Sequence, residues 1–190
     1  MRSATRHWHG AAGVTIFLIL LIMIVLAANA ATNVGCNADA TIRANDLIAA
    51  VGTAVTAGGT QIINLAASCT YTLTVVNNGG GTINANGLPR IATGVNLTMN
   101  GNSATITRDS GAPRFRIFRI DSGATVTLND LMLSGGYTPD GINMGAGEPG
   151  GDGGALSNYS NGTFHLTNST LYNDHADNEG GGIWSKGPAR

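Results

Sequence analysis

A short phrase that returns after 27 residues limits this chain more than any other feature: Gly153-Gly154-Ala155-Leu156 recurs as Gly180-Gly181-Gly182-Ile183. Self-similarity at a fixed period of roughly 20–50 residues marks a solenoid, in which one small unit buries its apolar side only against its own copies. Between the two phrases runs Thr163-Phe164-His165-Leu166-Thr167-Asn168-Ser169-Thr170-Leu171-Tyr172-Asn173. That unit is too short for a helical hairpin and has the wrong composition for one. Phe164, Leu166 and then Leu171 read as inward residues of two short strands with Asn168 at the corner, and the Gly-Gly pair supplies backbone with φ > 0 at the next corner.

Fainter copies precede it. Val126-Thr127-Leu128-Asn129 followed by Leu133 matches Phe164-His165-Leu166-Thr167 followed by Leu171 at an offset of 38, and Leu97-Thr98-Met99-Asn100 lies 29 residues earlier still. A β-solenoid accommodates such unequal spacing, because insertions leave at corners while stacked strands keep register. The Gly/Pro-rich stretch from Tyr137 to Gly151 reads as one such insertion. Leu97, Met99, Val126, Leu128, Phe164 and Leu166 are therefore predicted to stack on one another, since i and i+2 share a face. Strands are expected at 62–65, 71–75, 95–99, 104–107, 115–120 and 125–133, with turns at 77–81 and 100–102. An antiparallel sandwich is the competing arrangement; Gly-Gly and Asn corners recurring at one period favour the parallel solenoid.

The first 30 residues read as a targeting segment rather than structure. Arg2, Arg6 and two histidines precede an apolar run from Val14 to Ala28 broken only by Thr15, and Ala28-Asn29-Ala30 offers a small-x-small cleavage site. The alternative is an uncleaved anchor over residues 11–28, which is long enough to span a bilayer. Either way the remainder is expected to be exported. Its charge balance, slightly negative and dispersed, excludes a nucleic-acid partner. Glycine, 28 of 190 residues, is about twice the usual ~7%. No Pro/Ser-rich linker divides the chain, which fits one domain of about 160 residues.

Both cysteines, Cys36 and Cys69, fall in the exported part, which permits a disulfide between them. The alternative for Cys36 is a lipid acceptor, although Asn33-Val34-Gly35 lacks the expected Leu. Between the cysteines Ala44, Leu47, Ile48, Val51 and Val55 form an apolar stripe at helical spacing, giving a helix over about 42–56. Asp39 or Thr41 can cap its start and Gly58-Gly59 end it. A solenoid's first coil exposes an apolar interior and free strand edges, so an amphipathic helix stapled there serves as a lid. The alternative is a helix packed on the side of a sheet.

The phrases Gly153-Gly154-Ala155-Leu156, Leu166-Thr167-Asn168-Ser169-Thr170-Leu171-Tyr172-Asn173 and Ala176-Asp177-Asn178-Glu179-Gly180-Gly181-Gly182-Ile183 resemble the repeats of secreted bacterial right-handed parallel β-helix proteins. These are the pectin-lyase-like folds, including the polymorphic outer-membrane-protein repeats. The stretches Ala44 to Ala50 and Ile63 to Thr74 are similar to the N-terminal cap of that family. The resemblance covers roughly residues 36–190. It implies an all-β, single-stranded right-handed parallel β-helix with an N-terminal amphipathic capping helix. Residues 31–69 would be the cap and first coil, and 70–190 the repeats. Because Trp184 to Arg190 begins a repeat without closing it, the repeats are expected to be truncated there, either by a shortened reading frame or because the missing coils belong to a longer protein.

The search for chemistry decides the functional expectation. Lyases on this fold need carboxylates to hold calcium and a basic residue as proton acceptor, and hydrolases need paired carboxylates. Here Asp109, Asp121, Asp130, Asp140, Glu148 and Asp152 are scattered and no Asp-Asp pair occurs. Asp174 to Glu179 holds metal-capable side chains but sits where a turn favours Asp and Asn anyway, so no metal or cofactor is expected. Gly150 to Ala155 lacks the aspartate of the calcium β-roll nonapeptide. The Asn-x-Ser/Thr sequons at Asn96, Asn158, Asn161 and Asn168 read as corner residues. Arg108, Arg114, Arg116 and Arg119 fall within one short stretch and are the candidate ligand-binding residues, as a basic stripe for an acidic polysaccharide. Their alternative role is to keep the outer side of two strands soluble. The chain is thus expected to be a secreted or cell-surface structural and binding, adhesin-like module without catalysis of its own. Its expected partners are extracellular glycans or cell-envelope components, with the membrane touched only by the N-terminal segment. The alternative is a fragment of a polysaccharide lyase or glycoside hydrolase.

Overall fold

In the computed structural model, residues 31–79, 85–138 and 151–186 are described. The targeting segment 1–30 and the body of the 137–151 insertion lie outside them. The strands are β1 (Thr32–Val34), β2 (Gly59–Leu65), β3 (Thr70–Leu73), β4 (Val95–Arg108), β5 (Phe118–Ile120), β6 (Thr125–Ser134), β7 (Tyr137–Thr138), β8 (Leu156–Asn158), β9 (Thr163–Thr167), β10 (Thr170–Tyr172), β11 (His175–Ala176) and β12 (Ile183–Ser185). Among the described residues there is one helix, α1 (Ala40–Ala57). Every pairing between named strands is parallel. That rules out the antiparallel sandwich; an isolated bridge between Asn78 and Asn86 is antiparallel.

The chain crosses the same ladders repeatedly and in the same order. A first ladder stacks β1, β2, the first half of β4, the first half of β6, and β9. A second stacks β3, the second half of β4, the second half of β6, and β10. A third stacks β5, β8 and β12, preceded by a bridge from Ile91 to Ile120. The register is the one the repeats demand. Leu97 pairs with Val126 and Val126 with Phe164, while Met99 pairs with Leu128 and Leu128 with Leu166. Leu97, Met99, Val126 and Leu128 are fully buried and Phe164 nearly so. Leu166 is only partly buried, because its file ends on the last described rung. Tyr71, Ile106 and Leu133 form the matching inward file of the second ladder.

Corners repeat as faithfully as strands. Gly94, Gly123 and Asn161 all adopt positive φ, and each passes a backbone hydrogen bond to the next: Gly94 N to Gly123 O, then Gly123 N to Asn161 O. Gly153 and Gly180 share both conformation (φ 64° and 62°) and surroundings. A Cβ on either would strike the carbonyl oxygen three residues on, Leu156 or Ile183, so glycine is required twice for one reason. The expected turn at 100–102 is a bend inside β4, with a register shift between Asn100 and Ala104 and positive φ at Asn102 and Ser103. On the outer side of this bend Asn33, Asn64, Asn100 and Asn129 hydrogen-bond carboxamide to carboxamide in series at 3.0, 2.8 and 3.0 Å.

The N-terminal helix forms as its pattern dictates. Asp39 is the N-cap, its carboxylate accepting from Thr41 N and Ile42 N, and Gly58 ends the helix at φ 66°. Leu47 and Val51 are fully buried, with Ile48 and Val55 at the margin of the stripe. Cys36 and Cys69 are joined, with Cα atoms 5.7 Å apart. The buried Tyr71 hydroxyl donates to Val34 O and accepts from Ala66 N, and burial raises its pKa. Arg43 of α1 donates to Thr70 O and to the carbonyls of Asn37 and Ala38. Disulfide, phenol and guanidinium thus tie α1, β1 and β3 together.

Candidate functional site

The outward side of the second ladder carries a file of hydroxyls. Thr72 pairs with Thr107, Thr107 with Ser134, and Ser134 with Tyr172, because each sits one residue from the inward residue of its rung. This file floors a groove of about 650 Å³ that runs across the strands. Its wall is built where the chain leaves the ladder, by Arg108, Tyr137 and His175. The Tyr137 ring organises this wall: the Arg114 guanidinium lies 4.2 Å and that of Arg108 5.9 Å from its centroid, and the His175 ring meets it edge-on at 4.6 Å.

The four arginines proposed from sequence do not form one stripe. Arg108 and Arg114 converge on Tyr137. Arg108 is half-buried and its guanidinium donates to the carbonyls of Gly135, Asp109 and Ala112, an environment whose desolvation lowers its pKa. Arg114 is exposed and pairs with Asp177 at 3.2 Å. Arg116 is fully buried, which corrects its assignment to an outward face; burial lowers its pKa and Tyr159 is its hydrogen-bonding neighbour. The reason is local. Phe115, Ile117 and Phe118 are all buried too, so Phe115 to Ile120 is not a strand with alternating faces, and only β5 at its end is regular. Arg119 lies on the third ladder, over the Tyr159 ring at 4.1 Å and paired with Asp121 at 2.9 Å.

The scattered carboxylates are engaged where they stand. Asp109 accepts from Gly111 N within its own turn, Asp121 pairs with Arg90 and Arg119, and Asp130 accepts from Ser103. Asp152 is buried and accepts from Asn178 Nδ2 and Glu179 N. Asp140 and Glu148 lie outside the described residues. Among the described residues no three His, Cys, Asp or Glu side chains are grouped to hold a metal ion.

Asp174 was not singled out by the sequence, where it is one acid of a turn-like run. Its Oδ1 accepts from Gly136 N at 2.8 Å and its Oδ2 is buried without a hydrogen-bond donor. Burial is the larger influence and pushes its pKa up to about 7, against the opposing effect of the Gly136 and Tyr172 backbone donors. Nothing in the local sequence signals this, since the burial comes from Gly136, which arrives from a rung 38 residues away. The hydroxyl file was legible as the polar positions of Thr70-Tyr71-Thr72-Leu73 and Thr105-Ile106-Thr107.

With this geometry in hand, the chain was compared with known proteins. No family model, curated protein or solved structure matches it. Its function is therefore argued from its own residues.

Proposed function

We propose that the three ladders wind as one right-handed parallel β-helix, similar to the polymorphic outer-membrane-protein repeats. In this reading the chain is an exported structural and binding module of the cell surface or the medium. The observation that carries it is the character of the outer faces. The first ladder presents Thr98, Thr127, Asn100 and Asn129 on neighbouring rungs, the second Thr72, Thr107 and Ser134, and these files carry no carboxylate pair. Faces so smooth and polar suit adhesion along an extended partner rather than bond cleavage. The groove beside Tyr137 fits an extracellular glycan or a cell-envelope polymer: hydroxyls on the floor, aromatic rings of Tyr137 and Tyr172, and a cation at Arg108. The intact disulfide is in keeping with export. Among the described residues no helix is long and apolar enough to cross a membrane, so an anchored form would rest on residues 11–28.

Glycan binding by the purified chain, with Tyr172→Ala and Ser134→Lys as groove variants, tests the reading. Saturable binding that both variants weaken severalfold is expected, with no turnover of polygalacturonate or other acidic glycans. Failure of the wild type to bind any extracellular polysaccharide fraction would remove the groove from the account. Glycan turnover abolished by Asp174→Asn would replace the module by an enzyme. Protease accessibility on intact cells tests export: the β-rich domain should be cleaved outside while a cytoplasmic marker survives.

A further inference from the structure

We propose that the Asp174–Gly136 hydrogen bond forms a proton-dependent latch, closed in acid and loosened as pH rises, that holds β11 against β7 beside the His175–Asp177 pair. The latch stands on where these groups sit. Among the described residues β11 pairs with β7 through two residue pairs, His175 with Tyr137 and Ala176 with Thr138. So short a ladder relies on the contacts at its flanks. His175 N donates to Gly136 O at 2.8 Å, and Gly136 N returns a bond to the Asp174 carboxylate at 2.8 Å. The approach is forced to be close. A Cβ on Gly136 would strike the carbonyl oxygen of Gly154 and crowd Asp174 Oδ1, so the three segments meet only because position 136 is glycine.

The Asp174 contact depends on a proton. Burial holds Asp174 protonated well above the ordinary carboxyl range, to about 7. A carboxyl whose folded pKa lies above its unfolded value of 3.8 favours the closed contact most at low pH and loses that contribution as pH rises through about 7. In its neutral form it keeps a carbonyl oxygen for Gly136 N and relieves Oδ2, which is buried with no donor, of its charge. His175 Nε2 lies 2.9 Å from Asp177 Oδ1, a contact that is an ion pair only while the imidazole is protonated. The charged and titratable groups around the pair are few. Tyr137 comes from β7, Arg114 from the segment before Phe115 pairs with Asp177 Oδ2, and Arg108 lies over Tyr137. Asp152, the acid of the adjacent Gly-Gly corner, is held by Asn178 and the Glu179 amide. Among the described residues none of these supplies a cation to Asp174, and the backbone donors of Gly136 and Tyr172 offset only part of the effect of burial. The latch forms one wall of the groove, through Tyr137 and His175, but does not require that the groove bind a glycan.

The test is hydrogen exchange of the full chain, after correction for intrinsic rates, between pH 5 and 8. Peptides covering 134–138 and 172–177 should lose protection severalfold per pH unit between 5 and 7, below the ceiling of about tenfold that release of one proton allows. Peptides covering α1 and β2 should not change. Asp174→Asn, which keeps the shape and an acceptor for Gly136 N but cannot ionise, should flatten most of that pH profile. His175→Gln, which leaves Asp174 in place, should keep the slope. A wild-type profile independent of pH would overturn the latch. So would an Asp174→Asn profile as steep as the wild type, or a loss of protection spread evenly over the whole domain. If Asp174→Asn fails to fold, the wild-type profile and His175→Gln still decide the matter.

Discussion

The two ends of the described stack handle the same problem differently. At the N-terminal end Val34, Leu47, Val51 and Tyr71 are all buried to 4% exposure or less beneath α1. On the last described rung Leu166, Leu171 and Ile183 pack against the core but remain partly exposed, and Tyr172 is 65% exposed. Leu128 and Leu166 are partners in register on the same ladder, yet only Leu128 is fully enclosed. In a stacked fold an apolar residue is buried by the rung above and the rung below, not by its own. The fastenings differ as well. A disulfide, a phenol whose pKa burial raises and an arginine on backbone carbonyls hold α1. A carboxyl, an imidazole and a surface ion pair hold β11.

This contrast is broken most directly in the core. Leu128→Asp should abolish folding, because a charge would be buried without a partner; the same change at Leu166 should leave a cooperative unfolding transition. The milder pair makes the comparison quantitative. Leu128→Ala is expected to cost about 2–5 kcal/mol in urea unfolding, and Leu166→Ala less than about half of that, since its site is already open on one side. Equal losses would mean that Leu166 is as enclosed as its partner. Next in size comes the lid. Replacing Cys36 and Cys69 by Ser should cost about 3–4 kcal/mol, and the oxidised wild type should show no thiol labelling without reductant. Tyr71→Phe should cost about 1–3 kcal/mol, because Ala66 N–H and Val34 C=O would lose a buried partner. Thermal unfolding checks both, and neither loss should depend on pH between 5 and 8.

How much of this was legible follows from which residues carry period and which carry context. The helix, its Asp39 cap, the disulfide and the stacked positions from Leu97 to Phe164 were readable, because alternation, capping and cysteine pairing are local or periodic signals. The bend inside β4 was not: Asn100-Gly101-Asn102 has turn composition, yet parallel pairing resumes on its far side after a register shift. Arg116 reads as outward from sequence because two strands turning between Ile117 and Phe118 would alternate faces, whereas Phe115, Arg116, Ile117 and Phe118 are all enclosed. The Tyr137 cluster could not be read at all. It joins Arg108 and Arg114 to Tyr137 and to residues of the following rung, and the distance between rungs in sequence is set by insertions that have no fixed length.

The smallest expected effect sharpens the comparison at the other end. Arg114 pairs with Asp177 at 3.2 Å and lies over Tyr137, but its side chain is 53% exposed. An ion pair in that position gains little in water, costs side-chain entropy and is screened by salt within about 8–10 Å at 0.1–0.15 M. Arg114→Ala is therefore expected to lower stability by no more than about 0.5–1 kcal/mol at low salt. The difference should shrink further as salt rises, which urea titrations at two ionic strengths would show. A loss comparable to that of Tyr71→Phe, unaffected by salt, would mean that Arg114 holds the last rung as firmly as Tyr71 holds the lid. Stability at that end would then come from packing on Tyr137 rather than from charge, because a guanidinium stacked on a ring excludes water in a way that a surface ion pair does not.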